Sequence, residues 1–277
     1  MNQGITEQNK KYWNKKASID DFYSAGAPGE GNRLYRRIMG KYRTRTEFNH
    51  IDNKIDLRGK LLLDLGCGSG RTTLSLAKRC KKVIGIDFSE GLIGIAKEIA
   101  EKKKIQNAEF YVTELQNLKI EEKFDIIHLG GVLMCIPDED LSKIANQIKG
   151  VIKDDGILIN RDTVSLLDTR IEPQQTSDIY MYSYYRTVQE CKDIFSQNFH
   201  LFYSNETYPI TIFVNLYNRL PKFLKNSLLI LWMLDLGMNI QSGILDPFLQ
   251  KRKHLYAKVS KKWNKRQYFF FYKPKLS

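Results

Sequence analysis

Short apolar runs, separated by longer segments of mixed polarity, are the main pattern in the middle of the chain. Residues 61–65 and 82–87 are rich in aliphatic side chains, which is typical of strands buried on both faces of a parallel sheet. Residues 90–104 carry aliphatic side chains at helical spacing, and Ser89 is expected to cap that helix. This alternation of buried strands and amphipathic helices predicts an α/β fold.

The same alternation continues towards the C-terminus. Amphipathic helices are expected over residues 141–152 and 187–195. Further apolar runs predict strands over residues 109–112, 124–129, 157–160, 199–204 and 267–272. Arg161 and Asp162 are expected just beyond the end of the fifth strand, where ligands of open α/β sheets bind. No strand or helix is assigned to residues 163–186, which contain several tyrosines.

A glycine-rich loop follows the first strand and carries the clearest chemical signal in the chain. Gly66, Gly68 and Gly70 occupy alternate positions, and a helix is expected to begin near Arg71. Glycines permit a tight turn and a close approach of the backbone to a ligand, so strand, loop and helix predict a nucleotide-type site. Asp64 precedes the first glycine. Its carboxylate would repel a pyrophosphate but suits a cationic or amino-bearing ligand.

A second acidic residue lies at the end of the second strand. Asp87 follows Gly70 by 17 residues, close to the spacing of about 20 residues expected for a carboxylate that binds a ribose. The glycine loop resembles motif I of the class I S-adenosylmethionine (SAM)-dependent methyltransferases, and residues 124–129 resemble their motif IV. With the strand pattern included, the resemblance covers residues 60–210 and 267–273.

The resemblance implies a complete architecture. The fold would be a doubly wound, mostly parallel, seven-stranded Rossmann-like sheet with an antiparallel last strand and a helical cap or lid. The chain would then consist of an N-terminal helical cap (1–59), a SAM-binding core (60–210), a helical insertion (211–266), and a final core strand with a tail (267–277). The resemblance also implies SAM as the cofactor and a methyltransferase of the EC 2.1.1 type.

In this family the glycine loop lies under the methionine part of SAM. By resemblance, Asp64 helps to hold the amino group of SAM, Asp87 binds the ribose, and Glu114 is the candidate for the adenine amino group. Tyr12 and Trp13 would either close over the cofactor or only pack the leader, residues 1–59, on the core. The full set of expected cofactor-binding residues is Asp64, Gly66, Cys67, Gly68, Gly70, Asp87, Phe88, Thr113, Glu114, Leu115, Leu129, Gly130, Tyr12 and Trp13.

The acceptor site is expected beyond the ends of the later strands. Arg161, Tyr185 and Arg186 are the candidates for binding the acceptor. If the acceptor is a hydroxyl, a base must take its proton. The candidates for that base are Asp162, His128, Tyr185 and His200. His128 lies inside a predicted strand, so a satisfied core histidine is the alternative interpretation. No spacing typical of metal ligands is present.

Composition restricts the setting and the partners. The four cysteines are scattered, which indicates reduced thiols and a cytoplasmic location. No run reaches the ~18 apolar residues of a membrane span. The net charge is +13, and it is concentrated in the flanks, because residues 61–160 are near neutral while residues 211–277 hold most of the excess. The basic flanks predict an anionic acceptor, partner or surface.

These features favour a methyltransferase that acts on an oxygen or nitrogen atom of a small molecule. The acceptor would be a glycan, a lipid-linked sugar or a natural product. The basic flanks motivate a nucleic-acid methyltransferase as the alternative, although no Asn-Pro-Pro-Tyr-like motif follows the fourth strand. A SAM-binding protein without catalysis is the third hypothesis. No feature of the sequence indicates an oligomeric state.

Residues 211–266 are expected to contain two helices. The first has an apolar block, residues 228–234, that is expected to be buried, and the second, over residues 247–265, is basic and amphipathic. The pair would form a lid over the acceptor pocket. The alternative is that it rests on an anionic membrane surface, which would make the protein peripheral to a membrane.

Overall fold

The computed structural model describes residues 2–19, 33–176, 179–207, 217, 219–225, 227–241 and 265–276. The strands are β1 (Leu61–Leu65), β2 (Lys82–Asp87), β3 (Ala108–Val112), β4 (Phe124–Gly130), β5 (Ile152–Ser165), β6 (Arg170–Thr176), β7 (Ile179–Tyr185), β8 (Phe199–Thr207) and β9 (Lys265–Pro274). The described helices are α1 (Asn2–Ile19), α2 (Arg33–Asp52), α3 (Arg71–Leu76), α4 (Glu90–Lys102), α5 (Asp138–Val151), α6 (Val188–Asp193), α7 (Lys222–Lys225) and α8 (Leu228–Ile240).

Seven of the strands form one sheet in the order β3-β2-β1-β4-β5-β9-β8. β9 is antiparallel to both β5 and β8, and the other neighbours are parallel. The structure therefore confirms the predicted fold class, a mostly parallel seven-stranded α/β sheet with an antiparallel strand near its edge. The strand order reverses between β1 and β4, which opens a crevice at the carboxyl ends of these strands.

Buried side chains form a core on each face of the sheet. In β1, the adjacent residues Leu62 and Leu63 belong to different clusters because successive side chains of a strand point to opposite faces. Leu63 packs with Ile144 of α5, and Leu62 packs with Ile51 of α2 and Leu76 of α3. Full burial of such a side chain contributes roughly 1.5–3 kcal/mol, so both layers of helices hold the sheet.

β5 is longer than the apolar pattern predicted. It extends through Ser165, and its second half pairs with β9, with Arg161 opposite Phe269. The expectation that Arg161 and Asp162 lie beyond the strand end was therefore wrong. The apolar run stops at residue 160, but the strand continues because β9 supplies hydrogen-bonding partners for its main chain.

A two-stranded hairpin, β6 and β7, occupies a segment to which no element was assigned. In β7, Met181, Ser183 and Tyr185 are buried, while Tyr180 and Tyr182 are exposed. This alternation has the period of two that is typical of a strand. It was missed because tyrosines occur on both faces of β7 and a serine on the buried face, which obscures the polarity pattern.

The leader forms two helices that pack against different parts of the core. In α1, Asn14 accepts hydrogen bonds from Ser89 Oγ (2.6 Å) and Gly91 N (3.3 Å), which fixes the helix to the start of α4. In α2, Phe48 and Ile51 enter the core beneath the sheet. The predicted loop over residues 24–31 lies outside the described residues.

The apolar helix of the insertion, α8, packs against the outer side of α2. Its buried residues Leu231, Leu234 and Met238 meet Tyr35 and other residues of α2. The expectation that the whole block is buried was wrong, because Leu229 is 63% exposed while Leu231 is 1% exposed. The second predicted helix lies almost wholly outside the described residues. None of the helices in the described part of the chain is both long enough and apolar enough to cross a membrane.

Candidate active site

A cavity of about 360 Å³ opens at the carboxyl ends of the central strands. It lies where the strand order reverses. Its described lining comes from β1, β2, β4, β5, β7 and β9, from α1, α2 and α4, from the glycine loop with the start of α3, and from the turn after β4. Twelve residues predicted for cofactor, acceptor or catalysis line it: Tyr12, Trp13, Asp64, Gly66, Cys67, Gly68, Asp87, Phe88, His128, Gly130, Arg161 and Tyr185.

Asp87 organises the side of this cavity that adjoins the glycine loop. One carboxylate oxygen accepts from Gly68 N and the other from Ser89 N, both at 2.9 Å. These bonds tie the glycine loop to the end of β2, and Ser89 in turn caps α4 by accepting from Leu92 N, as predicted. Burial raises the pKa of Asp87 to about 6, against the opposing effect of the hydrogen bonds from Ser89 and Gly68.

The three glycines of the loop are not interchangeable, because glycine is needed at Gly68 and at Gly70 for different structural reasons. All three have positive φ angles, a conformation that costs other residues energy. A Cβ on Gly68 would meet nothing within 4 Å, and Gly68 lines the cavity, so a side chain there would occupy ligand space. A Cβ on Gly70 would lie 2.9 Å from Ala96 and Phe110, and Gly70 is not among the lining residues. Gly70 therefore permits close packing of α3 on α4 and β3.

His128 lies between two buried carboxylates. Its Nδ1 is 2.7 Å from Asp64 Oδ1, and its Nε2 is 2.9 Å from Glu47 Oε1. Burial lowers the pKa of His128, but Asp64 and Glu47 more than compensate and raise it to about 9. Carboxylates only accept hydrogen bonds, so both ring nitrogens donate and the imidazole is protonated. Thr73 Oγ1 donates to the second oxygen of Asp64 at 2.5 Å.

This arrangement gives His128 the satisfied, buried role that was the alternative to catalysis. A ring with both protons held by carboxylates cannot accept a proton from an acceptor. The sequence offered no signal for its partner Glu47, because Glu47 lies in α2, 81 residues before His128.

Glu47 also interacts with arginines at the cavity. Arg161 Nε donates to Glu47 Oε1 at 3.1 Å. Arg71 donates through Nη1 to Gly40 O and to Thr44 Oγ1. Arginine and histidine contacts hold the pKa of Glu47 well below its usual range, although burial alone would raise it. Glu47 is therefore ionised and surrounded by positively charged side chains.

Two other predicted site residues have structural roles outside the cavity lining. Arg186 donates to Leu133 O (2.7 Å), Ile136 O (2.6 Å) and Asp138 Oδ1 (2.8 Å), so it holds the turn after β4. Its assignment to acceptor binding is corrected accordingly. Asp162 accepts from Met134 N (3.2 Å) and Thr163 N (3.0 Å), and burial raises its pKa to about 6. Asp162 supports the same turn rather than facing the cavity.

Glu114, expected at the adenine, and three other residues expected to bind the cofactor, Thr113, Leu115 and Leu129, are also outside the described lining. Leu115 and Leu129 are buried in the core, and Glu114 accepts from Asn117 Nδ2 at 3.1 Å. Thr113 donates its main-chain N–H to Asp87 O at 2.9 Å. The candidate base His200 is exposed on β8 and is likewise absent from the lining.

Sequence reasoning missed about half of the described lining residues. The missed residues are Lys16, Arg43, Ser69, Arg71, Thr72, Leu92, Val132, Met134, Cys135, Thr163, Met181, Ser183 and Gln267. A continuation of motif I and of the β4 turn would have suggested some of them. The leader, the hairpin and β9 reach the cavity only through the tertiary fold.

The cysteines at the cavity are unreactive thiols. All four cysteines are free. Burial raises the pKa of Cys67 well above its usual value and that of Cys135 to about 12. Both therefore remain protonated at neutral pH, and a thiolate nucleophile is not part of this site.

Comparison with known proteins agrees with this geometry. A family model described as a methyltransferase domain matches residues 57–225, more than half of the chain. The ubiquinone biosynthesis O-methyltransferase of Coxiella burnetii (strain Dugway 5J108-111) is 35% identical over 125 residues, which cover 43% of this chain and 52% of the relative. The protein of the same name from Acinetobacter baumannii (strain ACICU) is 30% identical over 126 residues, with the same coverage. The chain thus spans about half the length of the curated relatives that it matches.

Solved structures share the fold at low sequence identity. DhpI, solved with S-adenosylhomocysteine (SAH), has a TM-score of 0.57 and 16% identity, covering 76% of this chain and 94% of DhpI. A putative SAM-dependent methyltransferase from Listeria monocytogenes has a TM-score of 0.55 and 15% identity, covering 83% of this chain and 99% of its own. The family match includes the glycine loop and Asp87, and the chain therefore belongs to the class I SAM-dependent methyltransferases.

Proposed function

We propose that this protein transfers a methyl group from SAM to an oxygen or nitrogen atom of a small molecule, in the class of glycans, lipid-linked sugars or natural products. The observation that carries the proposal is one continuous cavity that joins the Asp87–glycine-loop side to a polar wall formed by β5, β7 and β9. Asp87 on β2 and Thr163 on β5 are separated by three strand spacings, roughly 14 Å at ~4.8 Å each. That span accommodates a cofactor and an acceptor side by side.

The chain's own groups fit SAM. Asp87 presents a buried carboxylate, which can accept hydrogen bonds from ribose hydroxyls beyond those from Gly68 and Ser89. The open space beside Gly68 leaves the loop backbone accessible. Asp64 lines the cavity and adds negative charge for an ammonium group. Tyr12 and Trp13, in edge-to-face contact at 5.3 Å, line the cavity from α1 and support the proposed closure over the cofactor.

The bound cofactor would supply an electrophilic methyl group on a sulfonium. The task of the protein is to hold the acceptor atom in line with that group, which in favourable cases accounts for most of a rate enhancement. Gly130 and Gly131 line the cavity without side chains, which allows the Arg161 guanidinium to pack against their backbone. Tyr185 also lines it, and burial raises the pKa of its phenol, so it stays protonated and can orient the acceptor by a hydrogen bond.

The name of the relatives favours an oxygen acceptor within this proposal. Both curated relatives are named as O-methyltransferases. Of the four candidates for the base, His128 is already protonated and Tyr185 stays protonated, while Asp162 and His200 are outside the described lining. An acidic hydroxyl, such as a phenol or enol, needs little assistance and suits this site.

The helical insertion has a supporting role in the proposal. No described residue of the insertion lines the cavity, whereas α8 packs on α2, which contributes Arg43. We therefore propose that the insertion closes the site through α2: α8 packs on α2 and holds it against the core. This is the lid proposal for the insertion. Contact with an anionic membrane surface remains the alternative role for this basic segment.

The test is a binding measurement followed by an activity screen. Isothermal titration calorimetry is expected to show binding of SAM and SAH and no comparable binding of NAD. Incubation with SAM and a small-molecule cell extract should then give products heavier by one methyl group in mass spectrometry. Binding of SAH without any SAM-dependent product from small-molecule or nucleic-acid fractions would favour the non-catalytic alternative. A product only in the nucleic-acid fraction would overturn the small-molecule proposal.

A further inference from the structure

The charge of the cavity exceeds what the cofactor requires. Among the described lining residues, four side chains are basic, Lys16, Arg43, Arg71 and Arg161, whereas the carboxylates are Asp64 and Asp87. His128 adds a further positive charge, and Glu47, which contacts His128, adds one negative charge. The site therefore has a positive excess before any ligand is bound.

SAM cannot neutralise this excess. The cofactor carries a carboxylate, an ammonium and a sulfonium, so it is itself a net cation. Its carboxylate can offset one of the guanidinium groups, but the other two charged groups of the cofactor increase the repulsion. A second, negatively charged ligand would neutralise the positive charge that remains in the cavity when SAM is bound.

Arg161 is the arginine whose position marks the acceptor side. It lies on β5, opposite Gly130 in the β4 pairing, and its carbonyl accepts from Gly131 N at 2.7 Å. A Cβ on Gly130 would lie 2.9 Å from Nη2 of Arg161, so the guanidinium packs directly on the glycine backbone. This turn follows β4 at the centre of the cavity, away from Asp87 on β2.

The terminal nitrogens of Arg161 remain available for a ligand. Its Nε is used by Glu47, and its side chain is 15% exposed. Within the described parts of the chain, Nη1 and Nη2 have no hydrogen-bond partner, although each carries donors that a buried site normally satisfies. The two nitrogens form the planar fork that matches an oxyanion.

Neighbouring charges strengthen the attraction of this fork for anions. Burial and the charges of Arg71 and Arg161 lower the pKa of Arg43 to about 9. Burial lowers the pKa of Arg71 to about 10, with Glu47 opposing and Arg161 assisting. Three guanidinium groups that repel one another in a partly buried site are relieved by a bound anion.

We propose that the acceptor carries an oxyanion, a carboxylate or a phosphate, which Arg161 binds through its terminal nitrogens within the positive potential of Arg43 and Arg71. This inference rests on the proposed function, because it assigns the acceptor class of the same cavity. It differs from that function in its readout, since anion binding and cofactor binding are measured separately.

The test uses the full-length protein saturated with SAH and two matched probes. Benzoate carries a carboxylate, and benzamide has the same ring without the charge; inorganic phosphate is titrated separately to compare the two oxyanion sources. At constant ionic strength, calorimetry is expected to detect benzoate or phosphate and to show at least about tenfold weaker binding of benzamide. Equal affinity for benzoate and benzamide, with no phosphate binding, would overturn the inference.

Variants locate the anion site. Arg161→Met is expected to weaken the bound oxyanion roughly 10- to 100-fold, the range for loss of hydrogen bonds to a charged group, and Arg161→Lys should retain part of the affinity. The matched control is Arg58→Met, because Arg58 is an exposed arginine paired with Asp56 away from the cavity. Unchanged benzoate and phosphate affinity in Arg161→Met would overturn the assignment.

Cofactor binding keeps the two proposals apart. Arg161→Met should still be stabilised by SAH in a thermal-unfolding assay, because the partners of Arg161 are Glu47 of α2 and the main chain of the β4 turn rather than Asp87. If the wild type binds benzoate selectively but not SAH, the proposed function fails and the anion site stands. If Arg161→Met does not fold, the comparison of benzoate with benzamide on the wild type still decides the inference.

Discussion

At the scale of single residues, the site is organised by carboxylates that each serve more than one partner. Asp87 accepts from Gly68 and Ser89, and Asp64 accepts from Thr73 and His128. Such shared acceptors fix the loop and the neighbouring strand at the same time. A change at either carboxylate should therefore affect ligand binding and local order together, and the two effects must be measured separately.

Replacement of Asp87 by alanine should weaken SAM binding by about 1–3 kcal/mol, through loss of hydrogen bonds to a charged group. Calorimetric titration of SAM into wild type and Asp87→Ala measures this difference. Asp56→Ala is the control, because Asp56 is exposed and pairs with Arg58 on the surface. An Asp87→Ala protein with the wild-type affinity would remove Asp87 from the ribose-binding role.

His128 should make the free energy of unfolding depend on pH. Its pKa is raised to about 9 in the folded protein, above the ~6.5 of an unfolded histidine. The folded state therefore binds more protons between these values, so the stabilisation is complete below about pH 6.5 and is lost as the pH rises through 9. The loss should be of the order of 3 kcal/mol, at about 1.4 kcal/mol for each pKa unit.

Urea unfolding of the wild type and of His128→Gln at pH 6.5 and pH 9 measures this contribution. The variant should show a much smaller difference between the two pH values. His200→Gln, which changes an exposed histidine, should keep the wild-type difference. If all three proteins lose the same stability with rising pH, the buried imidazolium is not its source.

At the scale of elements, the glycine loop and α8 each combine a functional side with a structural side. In the loop, Gly68 faces the cavity while Gly70 faces α4 and β3. In α8, one face packs on α2 and the opposite face is exposed. The chain offers a matched pair of positions for testing each element.

Gly68→Val should abolish SAH binding and leave the fold largely intact, because its side chain would enter ligand space. Gly59→Val is the matched control: Gly59 also has a positive φ and open surroundings, but it is exposed and outside the cavity lining. Both variants carry roughly 1–2 kcal/mol of backbone strain. Only Gly68→Val should lose SAH-dependent thermal stabilisation; a normal SAH shift in that variant would show that the loop is not the cofactor cradle.

Leu231→Ala should destabilise the protein by about 2–5 kcal/mol, because Leu231 is buried between α8 and α2. Leu229→Ala, two residues earlier on the exposed face, should change stability by no more than about 0.5 kcal/mol. Chemical denaturation of both variants makes the comparison. Equal costs would mean that the packing of α8 on α2 does not hold in solution.

At the scale of the whole molecule, the insertion joins two neighbouring strands of the sheet. Thr207 of β8 is opposite Gln267 of β9, so the described strand residues on either side of this segment are close together and a short linker can join them. The core sheet, the glycine loop and the cavity lining are outside the segment that would be removed. The insertion can thus be tested without breaking the sheet.

Replacing residues 211–264 with a Gly-Ser linker should preserve SAH binding and abolish methyl transfer to every acceptor, including soluble ones. The reason is that α2 would lose its packing partner α8, and α2 carries Arg43 and Glu47. Product formation is measured with radiolabelled SAM. Full turnover of a soluble acceptor would contradict the lid proposal, and loss of binding to anionic vesicles alone would assign the segment to a membrane surface.

The sequence by itself determined the sheet and the glycine loop. Short continuous apolar runs next to glycines are typical of strands buried on both faces, and the spacing of Asp64, the glycines and Asp87 is a local property of adjacent strand ends. For that reason the fold class and most of the loop residues could be predicted from the residues alone.

The tertiary structure decided the rest of the site, because its contacts connect distant parts of the chain. Glu47 contacts His128 and Arg161, which follow it by 81 and 114 residues. Arg186 was expected to bind the acceptor but instead holds the turn before α5. The length of β5 depended on pairing with β9, which follows it by about 100 residues. Local patterns carry no information on such pairings, since buried polar groups find their partners only when the whole chain has folded.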